Sequence, residues 1–301
     1  MRHLEDRRTQ THARYGTATA APTRYGEVIN RYLSAAGYRE PAAGAPPRMP
    51  LPAGVVLVGV DETPTSYTAV DHAAVEAELR GWGLRMMHVQ HSYELSEASR
   101  GAAARLLEHM TDRVHAYTPD VAVTGRVAIG AAAPLLLSDA HDANLVVVGH
   151  RHRATGTAFG LSVAERVAAH HTGPALVVRV PDWPPGPGFG ARPLVVGVDA
   201  RTPPEVVRFA REEARVRGCE LIVLHAGTGA VPGIQLPGPG GVVVHERLVP
   251  GDPVAALLAM SDRAAAVVVG RRGPGGFAGA LLGPVSRAMV QRAQCPVFLV
   301  G

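Results

Sequence analysis

The sequence predicts an α/β protein made of two doubly wound, parallel-sheet domains in one chain of 301 residues. Three observations lead there. Short apolar, β-branched runs alternate with stretches of helical periodicity, the pattern of right-handed βαβ crossovers. The same order of segments then occurs a second time, and internal repetition is the strongest organisational signal a sequence carries. Finally, 47% of the residues are hydrophobic but only 5% aromatic, so Ala, Val and Leu fill the core, as suits strands buried on both faces.

The first copy opens with the strand Val55–Val60, followed by a helix over Ser66–Arg80. Next come strand Leu84–Val89, helix Ser96–Ala116, strand Val121–Ile129, helix Ala131–His141 and strand Leu145–Val148. Helix Leu161–His171 and strand Ala175–Val180 complete it, giving five strands. The repeat is explicit in three places. VVLVGVD (Val55–Asp61) returns as PLVVGVD (Pro193–Asp199), LVVVG (Leu145–Gly149) as AVVVG (Ala266–Gly270), and GPALVV (Gly173–Val178) as CPVFLV (Cys295–Val300). The second copy is shorter: Asp61 and Gly149 are 88 residues apart, Asp199 and Gly270 only 71. The loss falls after strand Glu220–His225, where Ala226–Gly241 is too rich in Gly and Pro to be a helix. One face of the second sheet therefore lacks a cover.

The organisation expected is a tail (1–52), a first domain (53–181), a Pro/Gly-rich linker (182–192) and a second domain (193–301). The tail is polar, rich in Ala, Arg, Pro and Thr, and mostly disordered by composition. Its exception is Tyr25–Ala36, where Val28, Ile29, Tyr32 and Leu33 share one helical face. That stripe is expected to dock on the sheet of one domain, because an isolated helix of this length is marginal in water.

The richest stretch is Ala264–Val300. A buried strand ends at Gly270, a loop carrying Gly273, Gly275, Gly276 and Gly279 follows, and a helix runs over Pro284–Arg292 with Pro284 in its first turn. A strand feeding a glycine loop that opens a helix makes an anion site, since free amides and the positive end of the helix dipole face one spot. The spacing Gly270, two residues, Gly273, nine residues, Gly283 resembles the nucleotide loop of the universal stress protein family, G-x2-G-x9-G-[ST]. The surrounding RRGPGGFAGALLGPVSRAMVQRAQCPVFLV follows the family's sequence closely, and the resemblance covers both copies. It implies the strand order 3-2-1-4-5 in each domain and pairing of the two domains through their last strands, Ala175–Val180 and Val297–Val300, with a homodimer as a further option.

The resemblance also implies a site for ATP or AMP, with or without Mg2+, in the second copy. Its residues would be Asp199, Val249, Gly251, Gly270, Arg271, Arg272, Gly273, Gly283, Val285 and Ser286. Asp199 would hold the adenine or ribose side, and the two arginines would add charge at the mouth. One departure matters: Pro284 stands where the family has its phosphate-binding Ser or Thr, which removes one amide and one hydroxyl. The first copy keeps Asp61 but reads His150-Arg151-His152 after its strand, so His152 replaces the second glycine, and Leu161 or Ser162 the third. That site is degenerate.

Other functions are excluded by residue type. All 30 basic residues are arginine, which rules out a Walker A loop, a kinase strand lysine and a Schiff base. The pI of about 9.4 does not imply nucleic acid, because the arginines are dispersed without interleaved aromatics. GPGGFA (Gly273–Ala278) is not a dinucleotide fingerprint, as no acidic residue follows at the next strand tip. None of the 14 histidines has a metal partner at convincing spacing, and Gly160–Ala164 (GLSVA) is not a nucleophile elbow. The apolar runs are too short for a membrane span, the N-terminus has no apolar signal core, and two cysteines suit a reducing cytoplasm. The expectation is a nucleotide-binding stress regulator rather than an enzyme, with at most weak ATP hydrolysis. The alternative is a scaffold of the same fold that binds protein partners and no nucleotide. An adenylating ligase is disfavoured by the missing lysine and the missing SGGxDS-like loop.

Overall fold

A computed structural model of the chain describes residues 23–35, 54–91, 96–150, 161–179, 188–226, 241–272 and 282–301. The first copy contains β1 (Val55–Val60), α2 (Pro64–Arg80), β2 (Gly83–Gln90), α3 (Glu97–His115), β3 (Val123–Ile129), α4 (Ala132–Asp139), β4 (Leu145–Gly149), α5 (Val163–His170) and β5 (Ala175–Val178). Ahead of it lies α1 (Arg24–Ala35). The second copy contains β6 (Leu194–Val198), α6 (Pro204–Arg217), β7 (Leu221–Ala226), β8 (Val244–Val249), α7 (Pro253–Ser261), β9 (Ala266–Gly270), α8 (Pro284–Arg292) and β10 (Val297–Val300). The alternation read from sequence is therefore the fold. Boundaries moved by two or three residues where proline or a cap fixes the start, as at Pro64 and at Ser162, which caps α5 rather than entering it.

All strands among the described residues lie in one ten-stranded sheet of order β3-β2-β1-β4-β5-β10-β9-β6-β7-β8. Each half is parallel with the order 3-2-1-4-5, and the halves join where β5 and β10 run antiparallel, Val297 opposite Val177 and Leu299 opposite Ala175. β1, β4, β5, β6, β9 and β10 carry Val and Leu that are fully or almost fully buried on both faces, which is why their sequence shows no alternation. Two cores result. α2, α3 and α6 cover one face, over Leu84, Val147, Val196 and Phe298; α4, α5, α7 and α8 cover the other, over Leu57, Val146, Val267 and Leu299. The expectation that the Gly- and Pro-rich stretch Ala226–Gly241 is not a helix falls largely on residues 227–240, which lie outside those described.

The stretch excepted from the tail, Tyr25–Ala36, is the helix α1 over Arg24–Ala35. Tyr25, Val28, Ile29, Tyr32 and Leu33 are all buried. The helix does not lie on an open sheet face, as expected; it sits on α2 and α6 and on the short turn Phe189–Ala191 at the end of the linker. A Cβ on Gly190 would come within 2.4 Å of the Gly26 Cα, so that crossing requires glycine. Two polar contacts lock the helix. Tyr32 donates to Asp71 Oδ2 at 2.9 Å, an acid that also accepts from Tyr117 and from Arg113, while Arg31 pairs with Glu78 at 2.6 Å near the surface. Tyr32→Phe is expected to cost about 1.5 kcal/mol, as for a hydrogen bond to a charged acceptor. Arg31→Ala should cost under about 1 kcal/mol, since that pair is solvent-screened. Urea denaturation of both variants checks the order; equal losses would mean that the Asp71 cluster does not hold the helix.

Beneath α1 lies a buried ionic quartet. Glu76 and Arg80 of α2 and Glu213 and Arg217 of α6 each pair within their own helix and across to the other. In both copies a Glu stands four residues before an Arg, and a glycine in the left-handed conformation then ends the helix: Gly81 at φ 65° and Gly218 at φ 69°. The quartet is thus a pseudo-two-fold cluster at the domain junction. The Arg217 guanidinium lies 4.4 Å from the Tyr25 ring and 5.5 Å from the Phe298 ring. Burial alone would raise the Glu213 carboxyl, but Arg80 and Arg217 offset it and hold it below the ordinary range.

Candidate functional site

In an open parallel sheet the ligand crevice lies past the carboxyl ends of the strands, where the strand order reverses. In the second copy that point is between β6 and β9. A cleft with about 700 Å³ of empty space opens there, lined from β6 by Gly197 and Val198, from β9 by Val269 and Gly270, and from the start of α8 by Gly283, Pro284, Val285 and Ser286. Asp199, Arg201, Thr202 and Pro203 form one wall, Arg272 the mouth, and Leu224, Ala226, Pro253 and Leu257 an apolar floor.

Asp199 ends β6 and shapes the turn that follows. Its Oδ1 accepts from the Arg201 amide and from Thr202 Oγ1, both at 2.9 Å, and its own amide donates to Thr202 Oγ1 at 2.8 Å. The residue lines the cleft while building its wall. At the end of β1 Asp61 shapes its own turn in a similar way, accepting from the Thr63 amide at 2.9 Å. The α8 N-terminus is the cationic element. Gly283 is its N-cap with no side-chain cap, and Pro284 has no N–H, so the amides of Val285 and Ser286 are the donors of the first turn. They meet the cleft with Arg272 and Arg201 nearby. The Gly283 amide is already used, donating to the Arg271 carbonyl at 2.8 Å.

Sequence-predicted residues divide as follows. Asp199, Gly270, Arg272, Gly283, Val285 and Ser286 line one cleft. Gly273 and the rest of the loop to 281 lie outside the described residues. Arg271, Val249, Gly251 and Ser286 stand differently from that expectation. Arg271 does not face the mouth: its guanidinium is buried and donates to main-chain oxygens at the domain seam. Adjacent residues leaving a strand point to opposite sides, so Arg271 and Arg272 cannot share one role. Val249 and Gly251 stand before α7 and are not among the lining residues, which there are Pro253 and Leu257. The Ser286 hydroxyl donates to the Gly270 carbonyl at 2.6 Å and has no second proton for a phosphate. Sequence reasoning missed Arg201, Thr202, Pro203, Leu224, Ala226, Pro253 and Leu257, although Arg201 carried a signal, two residues past Asp199.

The first copy shows what a closed version looks like. Ser162 is the N-cap of α5, as Gly283 is of α8. Its Oγ accepts from the Glu165 amide at 3.1 Å, and Glu165 Oε2 accepts from the Ser162 amide at 2.9 Å, a full capping box. A carboxylate thus sits at the helix start of the first copy, where the second copy has no acidic side chain. Burial pushes the Glu165 carboxyl up, but hydrogen bonds from the Ser162 amide and from Gln291 overcome this and hold it below its ordinary value, so it is charged at neutral pH. The strand end is crowded too: a Cβ on Gly149 would lie 3.0 Å from Thr65 Cγ2, whereas around Gly270 the nearest atoms are 3.6 Å away. Residues 151–160, with His152, lie outside the described residues.

Among the described residues no cluster of three or more His, Cys, Asp or Glu could hold a metal ion, and no helix is long and apolar enough to cross a membrane. Comparison with known proteins agrees with the architecture. The model of the universal stress protein family matches residues 53–179 and 234–301. A universal stress protein of Mycobacterium tuberculosis is 29% identical, over 81% of this chain and 94% of its own length. Another from Mycolicibacterium smegmatis is also 29% identical, over 81% of this chain and 96% of its own. The crystal structure of a universal stress protein from Archaeoglobus fulgidus superposes with a TM-score of 0.68 at 18% identity, covering 82% of this chain and 96% of that one.

Proposed function

Because the chain belongs to the universal stress protein family, we propose that it binds one adenine nucleotide, ATP or AMP, in its second copy, and that occupancy of this site is the signal it carries in stress adaptation. The observation behind this is the contrast between two equivalent helix starts. In the first copy the Ser162 hydroxyl takes the Glu165 amide of the first turn, and the Glu165 carboxylate, held by the Ser162 amide, places a negative charge there. In the second the amides of Val285 and Ser286 face a cleft flanked by Arg201 and Arg272. Phosphate suits that arrangement, and the apolar floor of Leu224, Ala226 and Leu257 suits a base or ribose edge. Mg2+, if it enters, would come with the phosphates.

The proposed role is binding rather than turnover. Asp199 is the one carboxylate among the described lining residues, and its Oδ1 is committed to the Arg201–Thr202 turn. No other described lining group is a general base for activating water. Equilibrium binding of labelled ATP and AMP to the full chain is the test, with one site per chain expected; no binding, or two equal sites, would overturn the reading.

A second reading, a scaffold of the same fold acting through protein partners, is favoured by the thinness of the donor set. Pro284 removes an amide, and the Ser286 hydroxyl is spent on Gly270. Pro284→Ser separates the two. If a phosphate is bound and short of one donor, the variant should tighten ATP by about 1–1.5 kcal/mol, with less effect on AMP. Titration calorimetry that finds no heat with either protein would leave the scaffold standing.

A further inference from the structure

Arg271 is a buried cation of the described second copy whose guanidinium meets main-chain oxygens rather than an acidic side chain. It is 3% exposed. Its Nε donates to the Ala168 carbonyl at 2.8 Å, its Nη1 to the Gly301 oxygen at 2.8 Å, and its Nη2 to the Gly173 carbonyl. Ala168 lies in the last turn of α5 and Gly173 in the turn before β5, so two of its three acceptors belong to the first copy. The negative end of a helix dipole and main-chain oxygens are an environment that suits a buried cation. Burial, reinforced by the Arg272 charge, brings its pKa down to about 10, so the guanidinium is still charged at neutral pH.

The backbone of the same residue starts the proposed nucleotide loop. Its amide donates to the Val300 carbonyl at 3.0 Å, and its carbonyl accepts from Gly283, the N-cap of α8, at 2.8 Å. The next residue, Arg272, lines the cleft. In the first copy the equivalent position is His150, whose amide makes the matching bond to Val178 at 2.8 Å. A planar guanidinium with five N–H donors can reach three divergent carbonyls; an imidazole cannot.

We propose that Arg271 is a positioning residue through which the degenerate first copy holds the second copy's site in shape. Its side chain is anchored on α5 and the turn after it; its main chain fixes both ends of the loop, Arg272 on one side and the Gly283 cap on the other. The first copy thus contributes acceptors to a ligand site that it does not itself contain. This rests on the nucleotide reading for its ligand, though not for its geometry.

Hydrogen exchange and ATP binding of the full chain test it, with Arg271→Met, Arg271→Lys and, as a control of reduced stability elsewhere, Tyr32→Phe. In Arg271→Met the Gly283 amide should exchange about tenfold faster without ligand, and ATP should bind about tenfold more weakly, a typical coupling between linked sites. Lysine, a point donor, should restore part of both. Tyr32→Phe should change neither, although it lowers stability. Unchanged exchange at Gly283 in Arg271→Met and Arg271→Lys overturns the proposal, as does unchanged affinity in a protein that binds ATP. If the unaltered chain binds no ATP, the nucleotide reading fails, and the exchange rates alone decide whether Arg271 positions the loop.

Discussion

Replacing Arg217 by methionine is expected to cost the folded chain about 3–5 kcal/mol, the loss typical when one partner of a buried ion pair is removed. Arg217 is 1% exposed, and its Nε donates to Glu213 Oε1 at 2.6 Å while its Nη2 reaches Glu76. Without it, two carboxylates buried at the domain junction share Arg80 alone, and the Tyr25 and Phe298 rings lose the cation between them. The penalty comes from the unpaired charge and not from the worth of the pair, so a fourfold replacement of Glu76, Arg80, Glu213 and Arg217 by apolar residues of similar volume should cost far less than the single change. Denaturant titration of both variants is the check. A single-variant loss below about 1 kcal/mol, the surface-pair value, would mean that water reaches the quartet. The cluster is the one-chain equivalent of an isologous interface, in which the same Glu and Arg meet their copies across a two-fold axis.

The quartet also shows where sequence reading stops. The strands were legible because burial on both faces leaves uninterrupted Val and Leu, and the repeat doubled each signal. Glu76 and Arg80, or Glu213 and Arg217, read singly as ordinary helix pairs four residues apart. Only the antiparallel meeting of β5 and β10 brings the two pairs together. α1 was legible as an amphipathic stripe but not as a strap, because its receptor is assembled from α2, α6 and the Phe189–Ala191 turn, distant in sequence. At the site, glycine spacing located the strand end and the helix start. It could not separate Arg271 from Arg272, which have the same chemistry and opposite directions, nor tell that the Ser286 hydroxyl is consumed by Gly270. The apolar floor carried no signal, since Leu224 and Leu257 look like any core residue.

Transplanting the first copy's capping box into the second is expected to abolish nucleotide binding while leaving the fold intact. The variant is Gly283→Ser with Ser286→Glu, which places at the N-cap and three residues on the pair found at Ser162 and Glu165. A new side-chain cap is worth about 0.5–2 kcal/mol to a helix. The lost Ser286 bond to Gly270 costs roughly 1 kcal/mol, so net stability should hardly move. Binding should fall at least about a hundredfold, or roughly 3 kcal/mol, because two effects act together. The serine hydroxyl takes a first-turn amide that a phosphate needs, and the carboxylate sits at the same spot with the same sign of charge. Gly283→Ser alone adds the cap without the charge and should lose much less. The reverse change in the first copy, Ser162→Gly with Glu165→Ala, should not create a second site, since Thr65 still crowds the end of β4 at Gly149. Equilibrium dialysis with labelled ATP distinguishes the cases. Retained binding in the double variant would show that the α8 amides are not where the phosphate lies, and would move the ligand away from the helix start altogether.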